Sequence, residues 1–141
     1  MIKFYKKVGL VITTLIILCS NNLNGLTKQT VKIGYATYYD YGFRGNPTAS
    51  GLIYNPKELT CATKDRSIPF GTVILITNIK NGKTVKVTVT DRMSKNAKRQ
   101  LDLTPAAFKR IGQLKTGVLK VKYKIIKIGS GKTYHHLNSY I

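Results

Sequence analysis

Acidic residues are scarce: Asp40, Glu58, Asp65, Asp91 and Asp102 stand against 24 lysines and arginines in 141 positions. Any acid–base chemistry therefore has few possible owners. Cysteine is scarcer still, with only Cys19 and Cys61, which excludes a disulfide framework and a cysteine metal site. The two histidines are adjacent, His135 and His136. Neighbours on a strand point to opposite faces and no third ligand accompanies them, so neither metal nor cofactor is expected. The longest apolar run, residues 8–18, falls short of the ~20 residues a bilayer span needs. No repeat or low-complexity tract occurs, and residues 112–117 lack the spacing of a phosphate loop.

The short apolar run has the layout of an export signal. Lys3, Lys6 and Lys7 precede it, and Asn21, Asn22 and Asn24 end it. The reading is a signal peptide over residues 1–25, a linker over 26–31, one domain over 32–127 and a tail over 128–141, the last loosely packed. Cys19 follows Ile16-Ile17-Leu18 and resembles a lipidation site; cleavage after Ser20 or Gly25 is the alternative. The destination is the periplasm or cell envelope, with the protein lipid-anchored or secreted. The formal net charge is +19; without the three leader lysines, 21 basic and five acidic groups leave +16. Such a surface is drawn to polyanions. For an exported chain these are envelope polymers or a membrane surface rather than nucleic acid. A monomer is expected.

Period-two alternation marks strands at residues 31–39, 71–79, 84–90 and 118–126, with a short extended piece at 100–103. Asn81-Gly82 signals a hairpin. Thr104-Pro105 opens a helix, with Thr as N-cap and Pro in the first turn, and Gly112 is expected at its C′ position. About six strands and one helix suit a small, mostly β closed barrel.

Several motifs occur together in order: Gly34 through Tyr39, Thr48-Ala49-Ser50-Gly51, Ile68 through Thr72, Thr90-Asp91-Arg92 and Leu101-Asp102-Leu103-Thr104. In this set the sequence resembles the rare lipoprotein A (RlpA) family, and also the first domain of bacterial expansins. The resemblance implies a six-stranded double-psi β-barrel with a glycan groove. The first family implies an endolytic lytic transglycosylase acting on peptidoglycan strands. The second implies glycan binding and wall loosening without cleavage.

The resemblance points to Asp91 and Asp102 as catalytic candidates and to Thr37, Tyr38, Tyr39, Ser50 and Arg92 as substrate-binding ones. A lytic transglycosylase can use one carboxyl twice, first as acid and then as base, and Asp91 matches the family's acid. Its alternative role is to satisfy loop amides or to pair with Arg92. Asp102 matches the second acid of the expansin-like pattern, or serves as a cap-like group before the helix. Thr37 is a groove residue or an ordinary strand threonine; Tyr38 stacks on a sugar or packs in the core. Where RlpA-type proteins carry Glu, Asp and His, this chain has Leu52, Asn55 and Thr63, with a two-residue insertion around Asp65-Arg66. The expansin-like tyrosine two residues after the first acid is Met93.

Overall fold

The computed structural model describes residues 30–134. The leader, Cys19 and His135-His136 lie outside the described residues. Six strands form the domain: β1 Lys32–Tyr38, β2 Thr60–Thr63, β3 Val73–Asn78, β4 Thr84–Arg92, β5 Leu101–Leu103 and β6 Leu119–Lys127, with one helix, α1 Pro105–Ile111. They close into a barrel in the order β1-β5-β2-β4-β3-β6. The pairs β1/β5 and β2/β4 are parallel and the other four antiparallel. This is the mostly β, six-stranded closed architecture expected from the sequence.

Alternation sorts each strand into an inner and an outer row. Ala36, Cys61, Ile74, Ile76, Val87, Val89, Leu101, Leu103 and Val121 fill the interior and are almost wholly buried. Phe108 and Ile111 of α1 join them. Burying each large apolar side chain contributes about 1.5–3 kcal/mol. The helix is fixed at both ends by the barrel's loops. The Thr104 hydroxyl accepts from the Ala107 amide and donates to the Glu58 carbonyl. The Ile111 carbonyl, left without a partner inside the helix, accepts from the side chains of Asn78 and Asn81.

Gly112 corrects one expectation. It is the C-cap of the helix and not the C′ residue, and it is extended, at φ −161 and ψ −173. Its glycine identity follows from space: a Cβ there would stand 2.7 Å from a Leu119 methyl. The start of the tail is also not loose. The Gly129 amide donates to the Thr72 hydroxyl, Gly131 to the Phe70 carbonyl and Tyr134 to the Ser50 carbonyl. Residues 128–134 are thereby laid along the outside of the barrel.

Candidate active site

Strand register assembles the site. Thr37 of β1 pairs with Asp102 of β5. Asp102 pairs with Ala62 of β2, and Ala62 with Asp91 of β4. Directly paired residues share a face; the flanking Ala36, Leu101, Leu103 and Cys61 point inward. A register shift in β4 between Val89, opposite Cys61, and Asp91, opposite Ala62, puts Asp91 on the face of Ala62 rather than on that of the inward Val89. Thr37, Asp102, Ala62 and Asp91 therefore form one row on the outer face, running across four strands. The two carboxyl-bearing backbones are two strand spacings apart, roughly 10 Å.

The two carboxyls have different surroundings. Three donors hold Asp91: Oδ1 accepts from the backbone amides of Ala49, at 2.8 Å, and Arg92, at 2.7 Å, and Oδ2 accepts from the Tyr39 hydroxyl at 2.7 Å. Asp91 thus anchors the Thr48–Gly51 loop to the end of β4. Asp102 accepts one side-chain hydrogen bond, 2.7 Å from the Thr37 hydroxyl. Burial lifts Asp102 above the ordinary carboxylate range. The Thr37 hydroxyl and Arg99 pull it back, and the negative charge of Asp91 lifts it further. Helix capping falls to Thr104, so Asp102 is not the cap.

Tyr39 lies just past β1, yet its hydroxyl reaches Asp91 on β4. Its phenol therefore spans the row. The ring packs on Tyr54, with centroids 5.0 Å apart, and edge-on against Phe43 at 6.1 Å. Burial and the neighbouring Asp91 raise the Tyr39 hydroxyl pKa far above its usual value. Tyr54 was not singled out by sequence; its only signal is an aromatic ring closing the apolar trio Leu52-Ile53-Tyr54. It is 5 % exposed, and its hydroxyl is buried with no hydrogen-bond partner. Burial, with Asp102 nearby, pushes that hydroxyl up to about 12.

The remaining candidates divide. Ser50 is buried, its hydroxyl 3.0 Å from that of Thr48 and its amide bonded to the Thr90 carbonyl; it shapes the loop. The Tyr38 ring packs on Phe108 at 4.9 Å, while its edge lines a depression of about 350 Å³ with Thr37, Asp40, Arg99 and Val118. The Arg92 guanidinium turns away from Asp91. It donates to the carbonyls of Ile68 and Asp65 and lies 4.2 Å over the Phe70 ring. Thr63 is buried and accepts from the Asp65 amide. Asp65 is tied to Lys32 and Ser67, and Glu58 faces Asn55. Of the five acids, Asp102 is the one that register places in the same row as Asp91.

A second depression, about 370 Å³, flanks the row on the Pro47–Gly51 side and is bounded by Thr133 and Tyr134. Another cavity, about 420 Å³, lies elsewhere, at the Lys32 end of β1 beside Ile68 and Ile125. It holds no carboxyl. Among the described residues no cluster of His, Cys, Asp and Glu could hold a metal. Cys61 is wholly buried in the interior, and burial pushes its thiol up to about 12.

Comparison with known proteins bears on the family and the fold. A family model described as lytic transglycolase matches residues 31–123. A protein of Aquifex aeolicus named probable endolytic peptidoglycan transglycosylase RlpA is 40% identical over 107 residues, 75% of this chain and 46% of that protein. One of the same name from Treponema pallidum is 44% identical over 88 residues, 62% of this chain and 27% of that protein. The chain thus spans less than half the length of these relatives. A mutant Clavibacter michiganensis expansin in complex with cellohexaose shares the fold, with TM-score 0.57 and 22% identity over 74% of this chain and 54% of that one.

Proposed function

Since the chain belongs to the RlpA family of lytic transglycosylases, we propose that its barrel cleaves peptidoglycan glycan strands endolytically, with Asp102 and Asp91 as the working pair. The observation that carries this reading is the asymmetry between two carboxyls on one outer row. Asp102 is lifted by burial and holds a proton more readily than an exposed carboxyl. It is the proton carrier. Its carboxyl protonates the glycosidic oxygen as the bond to C1 breaks. The resulting carboxylate then takes the proton of the sugar's C6 hydroxyl, whose oxygen bonds to C1 and leaves a 1,6-anhydro end. No water is consumed. Asp91, the acid expected from the sequence, is held by three donors and in this reading anchors the loop and Tyr39. Tyr39 and Thr37 border the bound strand, and the shallow depressions on either side of the row accept its neighbouring sugars. Envelope location, export through residues 1–25, lipidation at Cys19 and a monomeric state belong to the same reading.

A second reading, expansin-like binding and loosening without cleavage, is favoured by Leu52 and Thr63. The first is exposed and apolar, the second buried, and neither offers an acid or base to the row. Incubation with peptide-free glycan strands followed by mass analysis separates the two. Anhydro-ended fragments are expected. Their absence at high protein concentration, with cosedimentation on sacculi retained, would replace cleavage by binding.

A further inference from the structure

Charge is distributed unevenly around the barrel. Four of the five carboxylates lie on the carboxyl-row side or in its loops, and the fifth, Asp65, meets only the rim of the far face, where it is paired with Lys32; β3, β6 and residues 84–90 of β4 carry none. The outward positions there hold Lys120, Lys122 and Lys124 of β6 and Lys86 of β4. Register interleaves them with apolar groups. Leu75 of β3 pairs with both Lys124 and Lys86. Lys122 stands between Ile33 of β1 and Thr77 of β3, and Lys120 faces Tyr35. Val31, Ile33 and Tyr35 are 54%, 67% and 47% exposed, unusually open for side chains of their size. A depression of about 210 Å³ opens among Val31, Leu75, Thr77, Lys122 and Lys124. In the closed ring of six, β6 stands three places from β2 in either direction. This face is therefore diametrically opposite Ala62 and the carboxyl row.

We propose that the β6 face docks on an anionic lipid bilayer and so turns the carboxyl row away from the membrane. The chemistry selects a bilayer over a soluble polyanion. A polymer needs only the cations, whereas this face also exposes aliphatic and aromatic groups suited to the apolar boundary beneath lipid head groups. Lysine stems add to that apolar area while their ammonium groups stay in water. The face has no arginine, so it lacks the rigid fork that reads individual phosphates; four point charges suit a diffuse negative surface. Each lysine close to such a surface contributes roughly fivefold in affinity. The proposal stands on charge and register and does not depend on the catalytic reading.

The test is lysine footprinting of the full chain. Acetylation is read by mass spectrometry with vesicles of phosphatidylcholine alone and of phosphatidylcholine with an equal part of phosphatidylglycerol. The leader's three lysines also favour the anionic vesicles, so the readout is the contrast between individual lysines on and off the β6 face and not total binding. On the anionic vesicles Lys86, Lys120, Lys122 and Lys124 are expected to be protected, while Lys95 and Lys98 on the opposite side are not. Protection disappears at 1 M salt, where the screening length is about 3 Å. The combined Lys120→Glu, Lys122→Glu and Lys124→Glu chain weakens the face by more than about a hundredfold, the figure for losing three lysines before the added repulsion of three carboxylates, and Lys86 returns to its free rate. Ile33→Ser with Tyr35→Ser lowers protection on vesicles without changing protection by polyphosphate. Three outcomes overturn the proposal: uniform protection of all lysines, equal protection on neutral vesicles, or stronger protection of the β6 face by polyphosphate than by vesicles at equal charge.

Discussion

Exchanging each carboxyl of the row for its amide separates a proton carrier from an anchor. Asp102→Asn keeps an oxygen for the Thr37 hydroxyl but cannot release or take a proton. General acid–base catalysis contributes about 10²–10⁴-fold, so Asp102→Asn is expected to slow anhydro-product formation by that factor, about 3–5 kcal/mol of barrier. The same change should not weaken the fold. Burial raises the Asp102 pKa in the folded chain, so at pH values above that raised pKa the buried carboxylate is a cost that the unfolded chain does not bear. The cost fades as pH falls through the raised pKa, and asparagine removes it. Melting at pH 7 is thus expected to stay level or rise while activity collapses.

Asp91→Asn should behave differently. Its amide oxygen still accepts from Ala49 and Arg92, and its amide nitrogen can donate to the Tyr39 oxygen, so the loop stays in place. The charge that helps raise Asp102 is lost. The high-pH limb of the rate profile, where Asp102 gives up its proton, therefore moves to lower pH. Arg99→Gln has the opposite sign, because Arg99 lowers the Asp102 pKa. Initial rates on peptide-free strands across about pH 3–9, a range that starts below ordinary carboxylate titration and runs well above it, measure all three. The reasoning is refuted if Asp102→Asn retains activity, or if Asp91→Asn loses as much as Asp102→Asn with no displacement of the limb.

Two further expectations concern stability. Gly51 has φ +87, and a Cβ there would overlap the Tyr134 carbonyl oxygen, whereas Gly45, at the same φ, faces open space. Gly51→Ala should lower stability by about 1–3 kcal/mol and Gly45→Ala by less, read as urea midpoints; equal losses would show that the strap of residues 128–134 does not bear on the loop. The Ser67 hydroxyl, then Lys32, holds the Asp65 carboxyl at about 2. A depressed carboxylate stabilises the fold above its unfolded pKa and loses that contribution as pH falls from about 4 towards 2. Because Lys32 is half exposed, screening limits the contribution to about 1 kcal/mol. Asp65→Asn should cost that much at pH 7 and little at pH 2, by urea titration at both.

What the sequence made legible follows from how local each signal is. β1, β3, β4 and β6 alternate over six to nine residues, so a period-two reading finds them. Thr104-Pro105 and Asn81-Gly82 act through their own backbones and are seen as expected in a cap and a hairpin. The strand β2 escaped because Thr60–Thr63 is four residues long and three of them are buried, leaving no alternation to detect. That omission concealed the site. Ala62 is the residue that pairs with both Asp91 and Asp102, and only through it do acids eleven positions apart in sequence become members of one row. The two acids could be nominated by motif, but the division of labour proposed for them could not. It depends on the Ala49 amide and the Tyr39 hydroxyl reaching Asp91 across 42 and 52 positions of sequence, and on burial of Asp102 by a fold that brings β5 between β1 and β2. Ala62, on the outer row between the two carboxyl-bearing positions, is wholly buried, so a bulkier residue there has no free space to enter; it would push apart what covers the row while leaving every motif intact.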